Sequence, residues 1–476
     1  MRTFFMVLTV FVAATLAVAE ETLPPLQGMQ GLSIAYESPE QFAVLKNYMD
    51  LPGYDFVRTT YDSANVLVTA DKVEEFKQVL KQHRMNYTVT VEDVQEEVIE
   101  ERIAQEVERK VQARLQDYAP GKLSFTYYPN YNEVNEYLNY VTRTHGNVAS
   151  LINIGNSYEG RSMKVLKLST GGKNKPAIFI DAGIHAREWI APVTALFIVD
   201  QLLENHRNLL SQVDWYILPV LNPDGYEFTH TKSANRLWRK TRSGRSSACK
   251  GVDGNRNYDM EWMTIGASNN PCSDTYAGPK AFSEPETQHM RDFILARKGQ
   301  FKAYITFHSY GQYILYPWGF TSKVPSNEPE LRNLASSCAK AIAKSRKTQY
   351  TYGTSANHLY PAAGGSDDWA LAKADIHLSY TYELPGGNSG FILPPTEIKA
   401  VGIETFEAIK LGDCDHSLVK QTLKIANCDH SPKANAEWDT VFRGPQKEMW
   451  KMEDCDYSPQ TNIENRKLRL QTTNKS

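Results

Sequence analysis

His185 and Glu188 stand three positions apart in His185-Ala186-Arg187-Glu188, directly ahead of an apolar run at residues 189–203. An imidazole and a carboxylate at that spacing lie on one side of a helical turn, so both can reach a single cation. Alone, such a pair is more often a surface or capping arrangement. A catalytic zinc takes three protein ligands and leaves one position for water, so a third ligand must come from elsewhere. His308, in Thr306-Phe307-His308-Ser309-Tyr310, closes an apolar strand-like run and supplies it. Water activated on such an ion needs a carboxylate to take its proton. Glu383 closes another apolar run, Ser379-Tyr380-Thr381-Tyr382-Glu383-Leu384-Pro385, although taken alone it also reads as an exposed strand-end carboxylate.

These residues are far apart in sequence, so a sheet must bring them together. After Tyr127, apolar strands alternate with amphipathic helices such as residues 189–203, which predicts an α/β domain. The expected architecture is a mixed, largely parallel sheet flanked by helices on both faces. Four strands, at residues 176–181, 215–220, 303–307 and 378–382, are each followed closely by a polar residue of catalytic type. Ligands of open α/β sheets bind beyond the carboxyl ends of strands, so His185, Asn222, His308 and Glu383 are expected to converge. Ahead of this domain, residues 20–118 read as a small α+β unit with a strand at 66–69 and a helix at 73–80. It ends in a helix over residues 92–114, where Val94, Val98, Ile99, Ile103 and Val107 recur among acidic and then basic residues. That helix reads as a solvated connector. Its Arg109-Lys110 and Arg114 also offer exposed cut points to a trypsin-like protease.

The chain begins Met1-Arg2-Thr3, continues with an apolar run over residues 4–16 and reaches Ala17-Val18-Ala19, the pattern of a secretory leader at residues 1–19. The run is shorter than the ~20 apolar residues of a membrane span, so no membrane association is expected. A formal net charge of −3 likewise gives no sign of a nucleic-acid partner. Secretion permits disulfides among the six cysteines, and the lack of Cys-x-x-Cys spacing argues against a thiolate zinc site. Residues 413–476 form an extension holding Cys414, Cys428 and Cys455, which reads as disulfide-tied loops with a disordered end. Asn86-Tyr87-Thr88 is a glycosylation acceptor.

Asn222-Pro223-Asp224-Gly225-Tyr226, Asn235-Arg236-Leu237-Trp238-Arg239-Lys240-Thr241-Arg242 and Gly251-Val252-Asp253-Gly254-Asn255-Arg256-Asn257 resemble the pancreatic-type carboxypeptidase A/B family of zinc exopeptidases. Tyr360-Pro361-Ala362-Ala363-Gly364-Gly365-Ser366 and Phe391-Ile392-Leu393-Pro394-Pro395 extend the resemblance, which covers about residues 125–412. It implies one zinc ion per chain on His185, Glu188 and His308, with Glu383 as general base and Arg239 stabilising the tetrahedral oxyanion. It implies a clamp for the substrate's terminal carboxylate at Asn255 and Arg256, closed by Tyr360, and outer subsites lined by Arg187, Ser309 and Tyr310. A guanidinium grips a carboxylate bidentately, which suits an enzyme that insists on a free chain end. Asp367 aligns with the base of the pocket for the final side chain, where the B-type branch has aspartate for Lys or Arg and the A-type branch an apolar residue. Ser355 is small, as B-type specificity requires, whereas Gly319 follows the A-type pattern. Cys249 and Cys272 fall where the family has a disulfide, and Cys338 has no counterpart. The resemblance further implies a zymogen with a propeptide at residues 20–114, a catalytic domain at 115–412, an activating trypsin-like protease and a monomer. A-type preference and a non-catalytic peptide-binding relative remain as alternatives.

Overall fold

The computed structural model describes residues 25–116, 120–173, 175–244, 249–410 and, beyond them, 420–422 and 424–425. The expected leader, the three tail cysteines and the end of the chain lie outside the described residues. The N-terminal unit is a four-stranded sheet of β1 (Gln30–Ala35), β2 (Tyr54–Thr59), β3 (Ser63–Val68) and β4 (Asn86–Val91) in the order β2-β3-β1-β4. All three of its pairings are antiparallel. Alternation along these strands sends Leu32, Ile34, Val66 and Val68 to one face. There they pack against Leu45 of α1 (Pro39–Lys46) and against Phe76 and Leu80 of α2 (Val73–Gln82).

The connector is one helix, α3 (Val94–Gln116). Its inward side carries Val94 and Val98 and then turns polar, with Glu101 and Gln105 buried. Arg109, expected as an exposed cut point, is instead engaged: it donates to Glu133 at 3.1 Å and to the Tyr128 carbonyl at 2.7 Å. Glu133 also completes a capping box with Asn130 at the start of α4 (Tyr131–Thr144), so the connector is fastened to a helix end.

The second sheet has eight strands: β5 (Ala149–Asn156), β6 (Ser162–Leu168), β7 (Ala177–Ala182), β8 (Asp214–Leu218), β9 (Phe301–Ser309), β10 (Tyr313–Tyr316), β11 (Thr351–Thr354) and β12 (Leu378–Leu384). Their order is β11-β10-β12-β9-β7-β8-β6-β5. The β12-β9-β7-β8 centre is parallel throughout, while β10-β12, β8-β6 and β6-β5 are antiparallel. Every residue of β7 and β8 is buried, as a sheet covered on both faces requires. One face packs on α4, α5 (Ile190–Glu204) and the helices Glu328–Arg346 and Ile398–Lys410, the other on Pro285–Leu295 and Ser366–Ala372. α5 differs from the expected amphipathic helix: it is buried on nearly all sides, because it is enclosed between the sheet and the helix Ile398–Lys410.

Candidate active site

Parallel pairing puts Glu383 of β12 directly beside His308 of β9, and Ala182 of β7 beside Phe307. The chain leaves β7 through a tight turn at Gly183, and His185 then faces the same sheet end; Glu188 follows, just ahead of α5. Sequence-distant groups therefore meet because neighbouring strands end at one level. His185 Nδ1 lies 2.8 Å from Glu188 Oε1 and 3.2 Å from His308 Nδ1, and His308 Nδ1 lies 3.1 Å from Glu188 Oε2. The three side chains are buried, and their candidate ligand atoms all fall within 4.8 Å of one another. Glu188 Oε2 receives no well-formed hydrogen bond although it is buried. Burial opposes ionisation of Glu188, yet the two imidazoles hold its carboxyl well below the usual range. Converging imidazole nitrogens around a dry carboxylate are a donor set for a divalent cation, and the set fits zinc.

Asp253 ties this cluster to its surroundings. Its Oδ1 lies 3.1 Å from His185 Nε2 and accepts from Asn255 N, while its Oδ2 accepts from Arg239 Nη2 at 2.8 Å. A carboxylate on Nε2 directs the other imidazole nitrogen, Nδ1, toward the cluster. Although Asp253 is fully buried, Arg239 and Arg256 keep its carboxyl far below its ordinary pKa. Sequence reasoning missed this residue; its signal is its place in the quoted Gly251–Asn257 motif, ahead of Asn255 and Arg256. Arg239 Nη1 also lies 4.0 Å from Glu188 Oε1. Burial, reinforced by Glu188, pushes Glu383 up to about 7 against the pull of His308 and Arg239.

Apart from Asn222, the predicted site residues line one cavity of about 1060 Å³. Arg256 is held by the Asn255 carbonyl at 2.8 Å, the Gly266 carbonyl at 2.9 Å and the Tyr360 hydroxyl at 3.0 Å. Gly364 makes room for this arginine's backbone: at φ +77°, a Cβ there would sit 2.4 Å from the Arg256 carbonyl oxygen. Asp367 is buried and accepts from Thr381 Oγ1 at 3.1 Å and from the Asp368 backbone N–H at 3.0 Å. Asp368 turns away to bind Gly319 N at 2.9 Å, and burial with Asp367 close by raises its pKa well above the ordinary value. Asn222 is not part of the cavity lining; buried, it binds the carbonyls of Ile184 and Lys240 and so holds the loops that carry His185 and Arg239. Cys249 and Cys272 form a disulfide, and Cys338 is a buried free thiol.

The N-terminal unit covers the mouth of the cavity. Asp55 of β2 accepts from Arg187 at 2.5 Å, Asn65 of β3 donates to the Tyr310 hydroxyl at 3.1 Å, and Tyr61 donates to the Ala356 carbonyl at 2.6 Å. Arg58 donates to Tyr313. Ser309 lies in the same lining, its hydroxyl buried.

The mixed sheet, its candidate metal cluster and the unit that covers them point to a zinc peptidase carried with its own activation segment. The chain belongs to the zinc carboxypeptidase family, which matches residues 134–408, and residues 32–101 match the carboxypeptidase activation peptide. Its relatives include carboxypeptidase B of Astacus astacus, 48% identical over 61% of this chain and 97% of that protein, and carboxypeptidase B of Homo sapiens, 37% identical over 85% and 97%. The crystal structure of carboxypeptidase A from Helicoverpa armigera superposes with a TM-score of 0.77 at 32% identity, covering 85% of this chain and 100% of that one. The chain is thus a zinc carboxypeptidase made as a zymogen.

Proposed function

We propose that this enzyme is secreted and removes C-terminal Lys or Arg from peptides and proteins once the segment up to about residue 114 has been cut away by a trypsin-like protease. His185, Glu188 and His308 would hold the zinc, which supplies Lewis acidity to the scissile carbonyl and to a water. Glu383, at the same sheet end, takes the proton of the attacking water and passes it to the leaving amine. Arg239, braced by Asp253, offers its guanidinium to the oxyanion. Asn255, Arg256 and Tyr360 hold the terminal carboxylate, and Arg187, Ser309 and Tyr310 receive the residues before it.

The observation that carries the basic preference is Asp367, a buried carboxylate in the cavity wall whose partners are hydroxyls and one N–H. Such a group in a pocket gains most from a cation. Apolar preference is favoured by Gly319 alone. A Cβ there would lie 3.1 Å from the Ala362 carbonyl and 3.3 Å from Asp368 Oδ2, so glycine also answers to local crowding. Activated enzyme given hippuryl-Arg and hippuryl-Phe is expected to prefer the former, and Asp367→Ala to lose turnover of the basic end selectively. Equal loss on both substrates would remove Asp367 from the pocket. No release from either, with zinc bound, would favour a peptide-binding relative.

A further inference from the structure

Along the outward side of α3, Ile99, Ile103, Val107 and Val111 recur every fourth residue and are between 41% and 60% exposed. They form an apolar stripe about 18 Å long on the side opposite Val94, Val98 and Glu101. The stripe is flanked asymmetrically. Glu96 and Glu100 lie beside its N-terminal half, Lys110 and Arg114 beside its C-terminal half, and all four are exposed.

We infer that this stripe is the contact through which two copies of the proenzyme pair, with their connector helices antiparallel. A two-fold axis at residue 105 sets Ile103 against the partner's Val107 and Ile99 against the partner's Val111. The same axis sets Glu100 opposite the partner's Lys110 and Glu96 opposite the partner's Arg114. All four pairs are symmetric about that one residue, so apolar and charged matches are satisfied by a single operation, as an isologous interface requires. A parallel arrangement would set acid against acid. Within its own chain Lys110 bridges Glu106 at 2.8 Å, an exposed pair that yields readily to a new partner. Ridges at four-residue spacing favour a crossing near −50°, so the central isoleucine and valine pairs and Glu100 with Lys110 make the contact, and the outer charges steer. The area is small beside the ~1,600 Å² of a standard interface, so the dimer forms in a concentration-dependent way and disappears when the connector is cut off. A proenzyme that pairs in this way departs from the monomer expected for the chain.

Sedimentation of the uncut proenzyme across a concentration series tests this. The mass should double with rising concentration, fall back with added salt, and stay single for the activated enzyme. Ile103→Asp with Val107→Asp should give a monomer with unchanged melting temperature and latency, since both side chains are exposed. Glu100→Lys should weaken pairing by about tenfold, and adding Lys110→Glu should restore it. A single mass at every concentration, or a dimer indifferent to the Ile103 and Val107 changes, overturns the inference. If that monomer protects the stripe from hydrogen exchange and loses the protection when residues 426–476 are deleted, the chain's own C-terminal segment is the occupant instead.

Discussion

At the scale of single residues, the groups proposed to do chemistry divide by how many neighbours give them meaning. His308 and Glu383 are legible from their own segments, because an apolar run closed by a polar residue marks a strand end, and strand ends in such sheets share a level. Asp253 is not legible in this way: its role exists only once His185 and Arg239 arrive from two other segments to share its oxygens. Two substitutions separate these roles. Glu383→Gln keeps the shape of the site and all three candidate ligands but cannot take a proton, so zinc content should persist while turnover falls by roughly 10²–10⁴-fold. A Gln variant of near-normal activity would move the base elsewhere. Asp253→Asn leaves His185 and Glu188 in place but removes the charge that orients the imidazole and braces Arg239. Zinc affinity should drop by about 10–100-fold, read by competition with a chelator, with hydrolysis reduced even at saturating metal.

At the scale of elements, strand positions follow from periodicity, and what escapes is the surroundings that decide how each helix is used. α5 reads as amphipathic and is enclosed; α3 reads as solvated, yet its inner side holds Glu101, which meets Arg236 at 2.6 Å in a fully buried pair. Arg236 also stacks on Trp189 and donates to the carbonyls of Arg187 and Phe391, so a long-range partner fixes this stretch of α3. Removing one member leaves an uncompensated buried charge. Glu101→Ala should therefore cost the proenzyme about 3–5 kcal/mol in denaturant unfolding, whereas an enzyme cut at the proposed site near residue 114 should not show the effect. The first turn of the helix Pro285–Leu295 carries a different buried acid. Burial, with Glu284 and Asp224 adding repulsion, raises Glu286 from 4.5 to about 8. A folded-state pKa above the unfolded one gives stability that is complete below about 4.5 and is lost as pH climbs through 8. Glu286→Gln should remove that loss, so its melting temperature relative to the parent should be higher at pH 9 than at pH 5. A pH-independent difference would mean the carboxyl is ionised throughout.

At the scale of the whole molecule, two attachments hold the N-terminal unit, and they differ in kind. The connector grips through buried or half-buried charge, with Glu101 on Arg236 and Arg109 on Glu133. The small sheet grips through polar contacts at the cavity mouth, Asp55 on Arg187 and Asn65 on Tyr310, which are themselves groups proposed to receive substrate. Nothing in a sequence pattern predicts which surface of a separate small unit will face a site. The α+β character of the N-terminal unit was legible, and its docking was not. The distinction has a measurable consequence. Asp55→Ala with Asn65→Ala should loosen the sheet over the mouth while α3 stays fastened, so the uncut proenzyme should gain activity on a small substrate such as hippuryl-Arg. Melting of the catalytic domain should be unchanged, and activity after full cleavage should equal that of the parent, because the altered residues are then gone. Glu101→Ala should do the reverse, weakening the fastening of the connector and speeding separation after cleavage with little leak beforehand. If the double substitution leaves the uncut enzyme as silent as the parent, latency rests on the connector and not on the sheet that covers the mouth.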